Sequence, residues 1–133
     1  MTESHATAKY VRTSAQKAGL VLDLIRGRNV DLALATLEYA RKGVAREVEK
    51  VLRSAVGNAQ QKEGFGGDVD RFFVKACYAN QGPSMKRGRP SPMGRAFRMK
   101  KGSNHVTIVV ASTKTKAPAR GAAKAKPAAA AKA

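Results

Sequence analysis

The segment from Gln81 to Ser103 cannot form a hydrophobic core, and this limits what the whole chain can fold into. Its 23 residues contain three prolines and seven basic residues but no valine, leucine or isoleucine. The flanking runs, Arg71 to Asn80 and Asn104 to Ser112, are rich in β-branched and aromatic residues that alternate as in strands. The simplest fold is a β-hairpin whose strands continue outward beyond a globular body. Ten residues on each side would reach on the order of 30 Å, at about 3.3 Å per residue.

Acidic residues are confined to the first 70 positions. Residues 1–70 hold 11 basic and 9 acidic side chains, whereas residues 71–133 hold 15 basic side chains and no acidic one. The second part would repel itself unless a dense array of negative charge neutralised it. In a chain of net charge +17, this pattern predicts a nucleic acid as the partner.

Helical periodicity follows a short predicted strand at Ala8–Thr13. Apolar residues then recur every three or four positions and predict a first helix at Ser14–Arg26. Thr13 and Gln16 have the spacing of a capping box at its start, and Gly27 is a stop signal at its end.

Two further helices are predicted before the glycine-rich stretch at 64–67. The second, Leu32–Arg41, has Asp31 as its expected cap and ends at Gly43. The third has one continuous apolar stripe that should face the core. The stripe consists of Val44, Val48, Val51, Leu52, Ala55, Val56 and Ala59.

Composition predicts one domain at residues 1–112, with a hairpin extension at about 81–103, and a disordered tail of mostly lysine, alanine and proline at 113–133. The single cysteine, Cys77, excludes an intramolecular disulfide and a multi-cysteine zinc site, and it fits a reducing cytosol. Neither a signal peptide nor a run of roughly 20 apolar residues is present, so secretion and membrane insertion are not expected.

The cations of the hairpin segment are the first candidate binding residues, because no acidic residue lies near them in sequence. The planar guanidinium group of arginine can bind phosphate with two hydrogen bonds or stack on a base, whereas lysine provides a compact charge. A mixture of the two suits an irregular polyanion. Phe97 offers a ring for base stacking. If all seven cations contacted phosphates of a single strand, a plot of the logarithm of the binding constant against the logarithm of the salt concentration would have a slope of about −5. The seven are Lys86, Arg87, Arg89, Arg95, Arg98, Lys100 and Lys101.

Basic residues near the N-terminus form a second candidate patch. Their spacing fits a phosphate-binding surface on the body, and it fits an ordinary solvated surface equally well. His105 likewise has two interpretations, an RNA contact or a hydrogen-bonded structural histidine. The patch comprises Lys9, Arg12, Lys17, Arg26 and Arg28.

No catalytic, metal or cofactor site is predicted. The nine carboxylates are scattered, the two histidines stand far apart in sequence, and no glycine-rich phosphate-binding motif is present. Cys77 lies in a predicted strand without an activating neighbour in sequence, so a buried, unreactive thiol is expected.

Two runs of the sequence resemble a known family. VRTSAQKAGLVLDLIRGRNV at Val11–Val30 and NQGPSMKRGRPSPMGRAFRMKKGSNHVTIVV at Asn80–Val110 are similar to the bacterial branch of the universal large-subunit ribosomal protein twenty-two family. The similarity covers roughly residues 6–112. It implies an α+β fold, in which three helices pack on a small three-stranded antiparallel sheet and a long hairpin protrudes. It also implies a noncatalytic, cytoplasmic constituent of the large ribosomal subunit that binds rRNA, assists assembly and lines the nascent-peptide exit tunnel.

The resemblance and the charge pattern together give the expected site residues. Ser91 and Pro92 depart from the family, in which a basic residue and then a small one usually precede the Gly-Arg-Ala element. The expected rRNA-binding residues are Lys9, Arg12, Ser14, Lys17, Arg26, Arg28, Ser84, Lys86, Arg87, Arg89, Arg95, Arg98, Lys100, Lys101 and His105. The expected tunnel-lining tip consists of Met85, Lys86, Arg87, Gly88, Arg89, Pro90, Ser91, Pro92, Met93, Gly94 and Arg95.

The expected partners are large-subunit rRNA, neighbouring large-subunit proteins and the nascent polypeptide that passes the tip, without a homo-oligomer. The alternative hypothesis is an architectural DNA-binding protein that inserts a proline of its basic β-arm into a minor groove. Such proteins usually need two arms and therefore a dimer. Competition between DNA and rRNA fragments separates the two hypotheses.

Overall fold

The computed structural model describes residues 3–62 and 69–112, which form three helices, a three-stranded sheet and a separate two-stranded hairpin. The predicted tail at 113–133 lies outside the described residues. None of the helices in the described ranges is long and apolar enough to cross a membrane. In chain order the elements are β1 (Glu3–Val11), α1 (Ala15–Ile25), α2 (Val30–Glu38), α3 (Ala45–Gln61), β2 (Phe72–Gln81), β3 (Met85–Pro90), β4 (Ala96–Lys101) and β5 (Asn104–Ser112).

The larger sheet has the strand order β1-β5-β2, and both outer strands run antiparallel to β5. Asn104, the first residue of β5, lies opposite both Val11 and Gln81, so all three strands meet where the hairpin leaves the body. The predicted α+β class and three-stranded antiparallel sheet are confirmed. The predicted bounds of β5 are also confirmed, because its alternating apolar side chains pair with a neighbour on each side along the whole strand.

The core lies between this sheet and the helices. Helix α1 packs on β2, α3 packs on β1 and β5, and α2 packs on α3. The predicted apolar stripe of α3 is confirmed, with Val48 and Leu52 fully buried against Ile108 of the central strand. Phe72 is the largest of the fully buried side chains and closes the core at the start of β2.

The predicted start of α1 was wrong by one residue. The hydroxyl of Ser14, rather than that of Thr13, accepts a hydrogen bond from the backbone N–H of Lys17 at 3.3 Å. Thr13 Oγ1 instead accepts a hydrogen bond from Asn104 Nδ2 at 3.0 Å. Strand β1 is also longer than its predicted range of 8–13, because β5 supplies partners back to Glu3.

Helix α2 begins two residues before the predicted Leu32. Asn29 is its N-cap without a side-chain cap bond, so the expected cap at Asp31 was wrong and Asp31 lies inside the first turn. Tertiary contacts fix this start. The carbonyl of Arg28 accepts a hydrogen bond from Val74 N at 2.9 Å, and the helix turns directly afterwards at the fully buried Val30.

The hairpin strands do not simply continue the sheet, as the sequence had suggested, but form a second sheet after a break at its root. Gly82 N donates a hydrogen bond to Ser103 O at 2.8 Å, and Ser103 Oγ donates to the carbonyl of Pro83 at 2.6 Å. Proline has no N–H with which to extend the ladder. Each arm strand is therefore six residues long, which corresponds to about 20 Å.

Candidate nucleic-acid interface

The hairpin at residues 85–101, called the arm from here on, has almost no buried surface. All the side chains of β3 and β4 are exposed except that of Met99, which is half-buried. The arm carries all seven predicted hairpin cations. Since it has no apolar interior, its shape depends on backbone pairing, a few local hydrogen bonds such as that from Arg87 to the carbonyl of Lys86, and external contacts.

The strand register divides the arm into two different faces. Residues directly opposite each other in an antiparallel pair point to the same side. One side, the basic face, combines three cations with three small or cyclic residues and exposes a flat backbone. The other side, the mixed face, combines three cations with the long apolar side chains. The basic face consists of Lys86, Gly88, Pro90, Ala96, Arg98 and Lys100, and the mixed face of Met85, Arg87, Arg89, Phe97, Met99 and Lys101.

Like charges face each other on the arm. Lys86 lies directly opposite Lys100, and Arg98 is the next residue on the same face. Directly opposed like charges destabilise a strand pair. Residues of the basic face, together with Arg87 and Met99, line an open concavity of about 630 Å³. A polyanion in this concavity would remove the repulsion that the arm otherwise has to tolerate.

Ion pairs between described residues belong to the body. Asp23 pairs with Arg26, and Glu3 pairs with Lys75 across the sheet. Two further pairs lie on the solvent face of α3 and are Glu47 with Lys50 and Glu49 with Arg53. No carboxylate among the described residues reaches an arm cation. Those cations are consequently available for phosphate.

The turn at the end of the arm covers only residues 91–95. Ser91 N donates to Arg95 O at 2.9 Å, and Met93 and Gly94 both adopt positive φ angles, of 61° and 70°. Pro92 opens the short 3₁₀ turn, where its missing N–H has no partner to lose. The side chain of Met93 is 96% exposed as a result. Of the predicted tip residues, those from Met85 to Pro90 form the strand β3, and the tunnel-lining role of the whole set stays a prediction.

The N-terminal basic patch is divided between the two ends of α1. Arg26, at the far end, donates from Nη2 to the carbonyl of Cys77 at 3.1 Å and pairs with Asp23. Arg28 donates to Thr36 Oγ1 at 3.3 Å. Helix α1 has 11 residues, so these two arginines lie about 16 Å from the start of the helix.

The remaining cations of that patch lie nearer the arm. Lys9 and Arg12 are exposed at the end of β1, and Lys17 is exposed in the first turn of α1. Of the other predicted contacts, Ser14 caps α1 and Ser84 is exposed at the arm root. Binding of RNA by these residues stays a prediction.

His105 and Cys77 both have structural partners. His105 Nδ1 accepts a hydrogen bond from Tyr10 N at 3.0 Å, and the two rings meet edge to face at 5.0 Å between centroids. The predicted burial of Cys77 is confirmed, and its Sγ donates to Leu22 O at 3.3 Å. Burial raises the pKa of this thiol, and the nearby Arg26 only partly opposes the shift. The described residues contain no cluster of three or more His, Cys, Asp or Glu side chains suited to a metal ion.

Sequence patterns missed two residues at the arm root. Tyr10 lies in a bulge of β1 with a φ of 60° and an exposed ring, and Asn104 is fully buried where three strands meet. An aromatic residue within a short basic run was the available signal for Tyr10. Nothing in the sequence marks Asn104, because its role depends on Thr13, which is distant along the chain.

Comparison with known families agrees with this geometry. The model of the ribosomal protein L22p/L17e family matches residues 6–111, which include the whole arm and its root. The chain belongs to this family. Its members are structural proteins rather than enzymes, and membership favours the ribosomal hypothesis over the DNA-binding one.

Bacterial relatives cover most of the chain. The large ribosomal subunit protein uL22 of Clostridium acetobutylicum is 50% identical over 108 residues, which are 81% of this chain and 96% of the relative. That of Solibacter usitatus is 50% identical over 105 residues, 79% of this chain and 92% of the relative. That of Clostridioides difficile is 45% identical over 112 residues, 84% of this chain and 99% of the relative.

Proposed function

We propose that this protein clamps large-subunit rRNA with its arm, assists assembly of the subunit and contributes the end of the arm to the wall of the nascent-peptide exit tunnel. Family membership supports the coarser statement, that the chain is a structural, cytoplasmic constituent of the large ribosomal subunit. There it has rRNA and other ribosomal proteins as neighbours. The finer assignments rest on the geometry of the arm.

The observation that carries the proposal is the basic face. Lys86, Arg98 and Lys100 project from one side of a coreless hairpin beside residues too small to cover the backbone. Phosphates can thus approach both the cations and the strand itself. Neutralising the opposed lysines gains free energy on binding, and the release of counterions from the RNA makes the binding sensitive to salt.

The mixed face supports contact with bases as well as with phosphates. Phe97 is 60% exposed and lies opposite Arg89, so a ring and a guanidinium are presented together. Aromatic rings stack on bases without regard to sequence, and flexible methionines such as Met85 fill irregular gaps. One arm with two faces can therefore lie between two RNA segments and hold them together. This is the proposed contribution to subunit assembly.

The exposed turn supports the proposed role at the tunnel wall. Met93 and its neighbours form the outermost part of the arm, and the hydrogen bond from Ser91 N to Arg95 O closes the turn on itself. A polypeptide that passes this turn would meet a flexible thioether and a proline ring rather than a fixed charge pair. Such a surface suits a tunnel wall that must not bind the passing polypeptide tightly.

A salt titration of rRNA binding tests the clamp. Replacing Lys86, Arg98 and Lys100 with alanine should make the log–log salt slope shallower by about 2, at roughly 0.7 per lost contact. The matched control replaces Arg41, Lys42 and Arg46, three exposed cations of the body, and changes the net charge equally. Equal slopes for the two triple variants would contradict a specific role for the arm.

A further inference from the structure

A small cavity lies at the root of the arm, on the side where β1 ends. Its volume is about 270 Å³, and it is lined by Tyr10, Arg12, Pro83, Met85 and the Gly102–Ser103 link. Because Met85 also belongs to the mixed face, the cavity continues the proposed RNA-binding surface onto the body. Sites for drug-sized ligands usually occupy about 300–1,000 Å³, so this cavity suits a smaller planar group.

Tyr10 is held in a backbone conformation that aromatic residues rarely adopt. Its φ of 60° lies in the left-handed region, and the register between Ala8 and Val11 is shifted by a bulge. The Tyr10 N–H donates to His105 Nδ1, and the His105 ring lies edge-on to the Tyr10 ring. These contacts fix the direction of the ring while leaving 64% of the residue exposed. Strained residues of this kind cluster at ligand-binding sites.

Charge and shape at the cavity indicate the class of ligand. The Tyr10 ring, the Pro83 ring and the Met85 thioether provide apolar walls for a flat group. Arg12 is exposed beside them and makes no hydrogen bond or ion pair with the described residues. The carboxylate of Glu3 is at the opposite end of β1, where that strand pairs with Ala111. The flat apolar slot matches a nucleotide base, and the unpaired guanidinium beside it matches the attached phosphate.

We propose that this cavity binds one unpaired nucleotide of RNA, with its base stacked on Tyr10 and its phosphate on Arg12. The inference rests on the proposed function, since it names an additional subsite of the same RNA-binding surface. The proposed site also accounts for the bulge of β1. A regular strand would turn the side chain of residue 10 and pair its N–H with β5, and the cavity would lose its aromatic wall.

The test uses the full chain and two pentanucleotide probes with equal phosphate charge, a uridine pentamer and an abasic pentamer. Fluorescence anisotropy at fixed low salt gives the preference for the probe with bases. Replacing Tyr10 with asparagine, which tolerates a positive φ, should reduce that preference roughly tenfold because one base loses its stacking partner. Replacing Tyr10 with phenylalanine should retain the preference.

Two controls separate this site from the rest of the surface. Tyr39→Ala removes an 83% exposed tyrosine at the end of α2 and should leave the preference unchanged. Phe97 also offers a ring, so only the part of the preference lost in Tyr10→Asn counts. If Tyr10→Asn keeps the full preference while its melting temperature matches that of the wild type, the nucleotide site is overturned.

Ultraviolet cross-linking to large-subunit rRNA provides the second measurement. We expect a nucleotide adduct on Tyr10, or on Pro83 beside it, and none on Tyr39. Adducts on the arm alone would overturn the site but leave the clamp intact. A cross-link from Tyr10 to another protein would likewise overturn it. Failure of the clamp itself would appear separately, as an unchanged salt slope in the Lys86, Arg98 and Lys100 variant.

Discussion

The body encloses a core of large apolar side chains, whereas the arm leaves nearly all of its side chains in solvent. Leu22, Leu52 and Phe72 are 1% exposed or less, but Phe97 on the arm is 60% exposed. Both regions contain antiparallel strands that are paired through their backbones. Backbone pairing is therefore common to both, and burial is what distinguishes them. The body can define its own shape from within, and the arm depends on what surrounds it.

Charge follows the same division. The body combines both signs and pairs them across its surface, as Glu3 does with Lys75. The arm has a single sign and places Lys86 opposite Lys100. A two-stranded hairpin is marginal in water even without such repulsion. The comparison shows that stability has been concentrated in one region and binding capacity in the other.

Hydrogen exchange of the free protein should show the largest difference between the body and the arm. Amides of β5 should exchange only through global unfolding, which typically costs about 5–15 kcal/mol. Amides of β3 and β4 should exchange through local opening, with protection lower by several orders of magnitude. Protection of the arm equal to that of β5 would show that the arm is part of the same cooperative unit.

Truncating one buried side chain of the body and one exposed side chain of the arm should have very different effects on stability. Leu52→Ala should lower the free energy of unfolding by about 2–5 kcal/mol, because it leaves a cavity in the core. Phe97→Ala, on the arm, should change it by less than about 0.5 kcal/mol. Urea denaturation followed by circular dichroism measures both. A large loss for Phe97→Ala would mean that the arm packs against the body.

The junction between the two regions should respond to a single methyl group. A Cβ at Gly82 would lie 2.8 Å from Ser103 Oγ, which is held by its hydrogen bond to Pro83. Gly82→Ala should therefore break that bond at a cost of about 1 kcal/mol and alter the cross-peaks of the arm root in an NMR spectrum. The matched control is Gly88→Ala, since a Cβ there meets nothing within 4 Å. Equal spectral changes in the two variants would refute a close-packed root.

The smallest expected effect concerns the charge pair of the body. The Lys75 and Glu3 side chains are 45% and 42% exposed, so Glu3→Gln should cost no more than about 1 kcal/mol, and less at high salt. Thermal melts at low and high salt measure this. A larger loss that persists in salt would indicate that ion pairing, rather than burial, stabilises the body.

Local sequence patterns correctly predicted the elements that bury one continuous apolar face. The apolar stripe of α3 and the apolar alternation of β5 were sufficient to predict these elements, because the spacing of apolar residues directly indicates which face is buried. The exposed arm was also predictable, since its segment has nothing to bury. Boundaries were less accurate where tertiary bonds compete with local ones, as at Thr13, which bonds to Asn104 rather than capping α1.

Composition and periodicity were enough to predict a small α+β core and a coreless basic hairpin, because both are properties of the chain itself. The tertiary fold settled which cations share a face, because a shift of one position in register would put Phe97, Met99 and Lys101 on the same face as Lys86. It also decided that Tyr10, Pro83 and Met85 meet at the root. Those residues are brought together because β1 and β2 pair with β5 from its two sides, which no local pattern encodes.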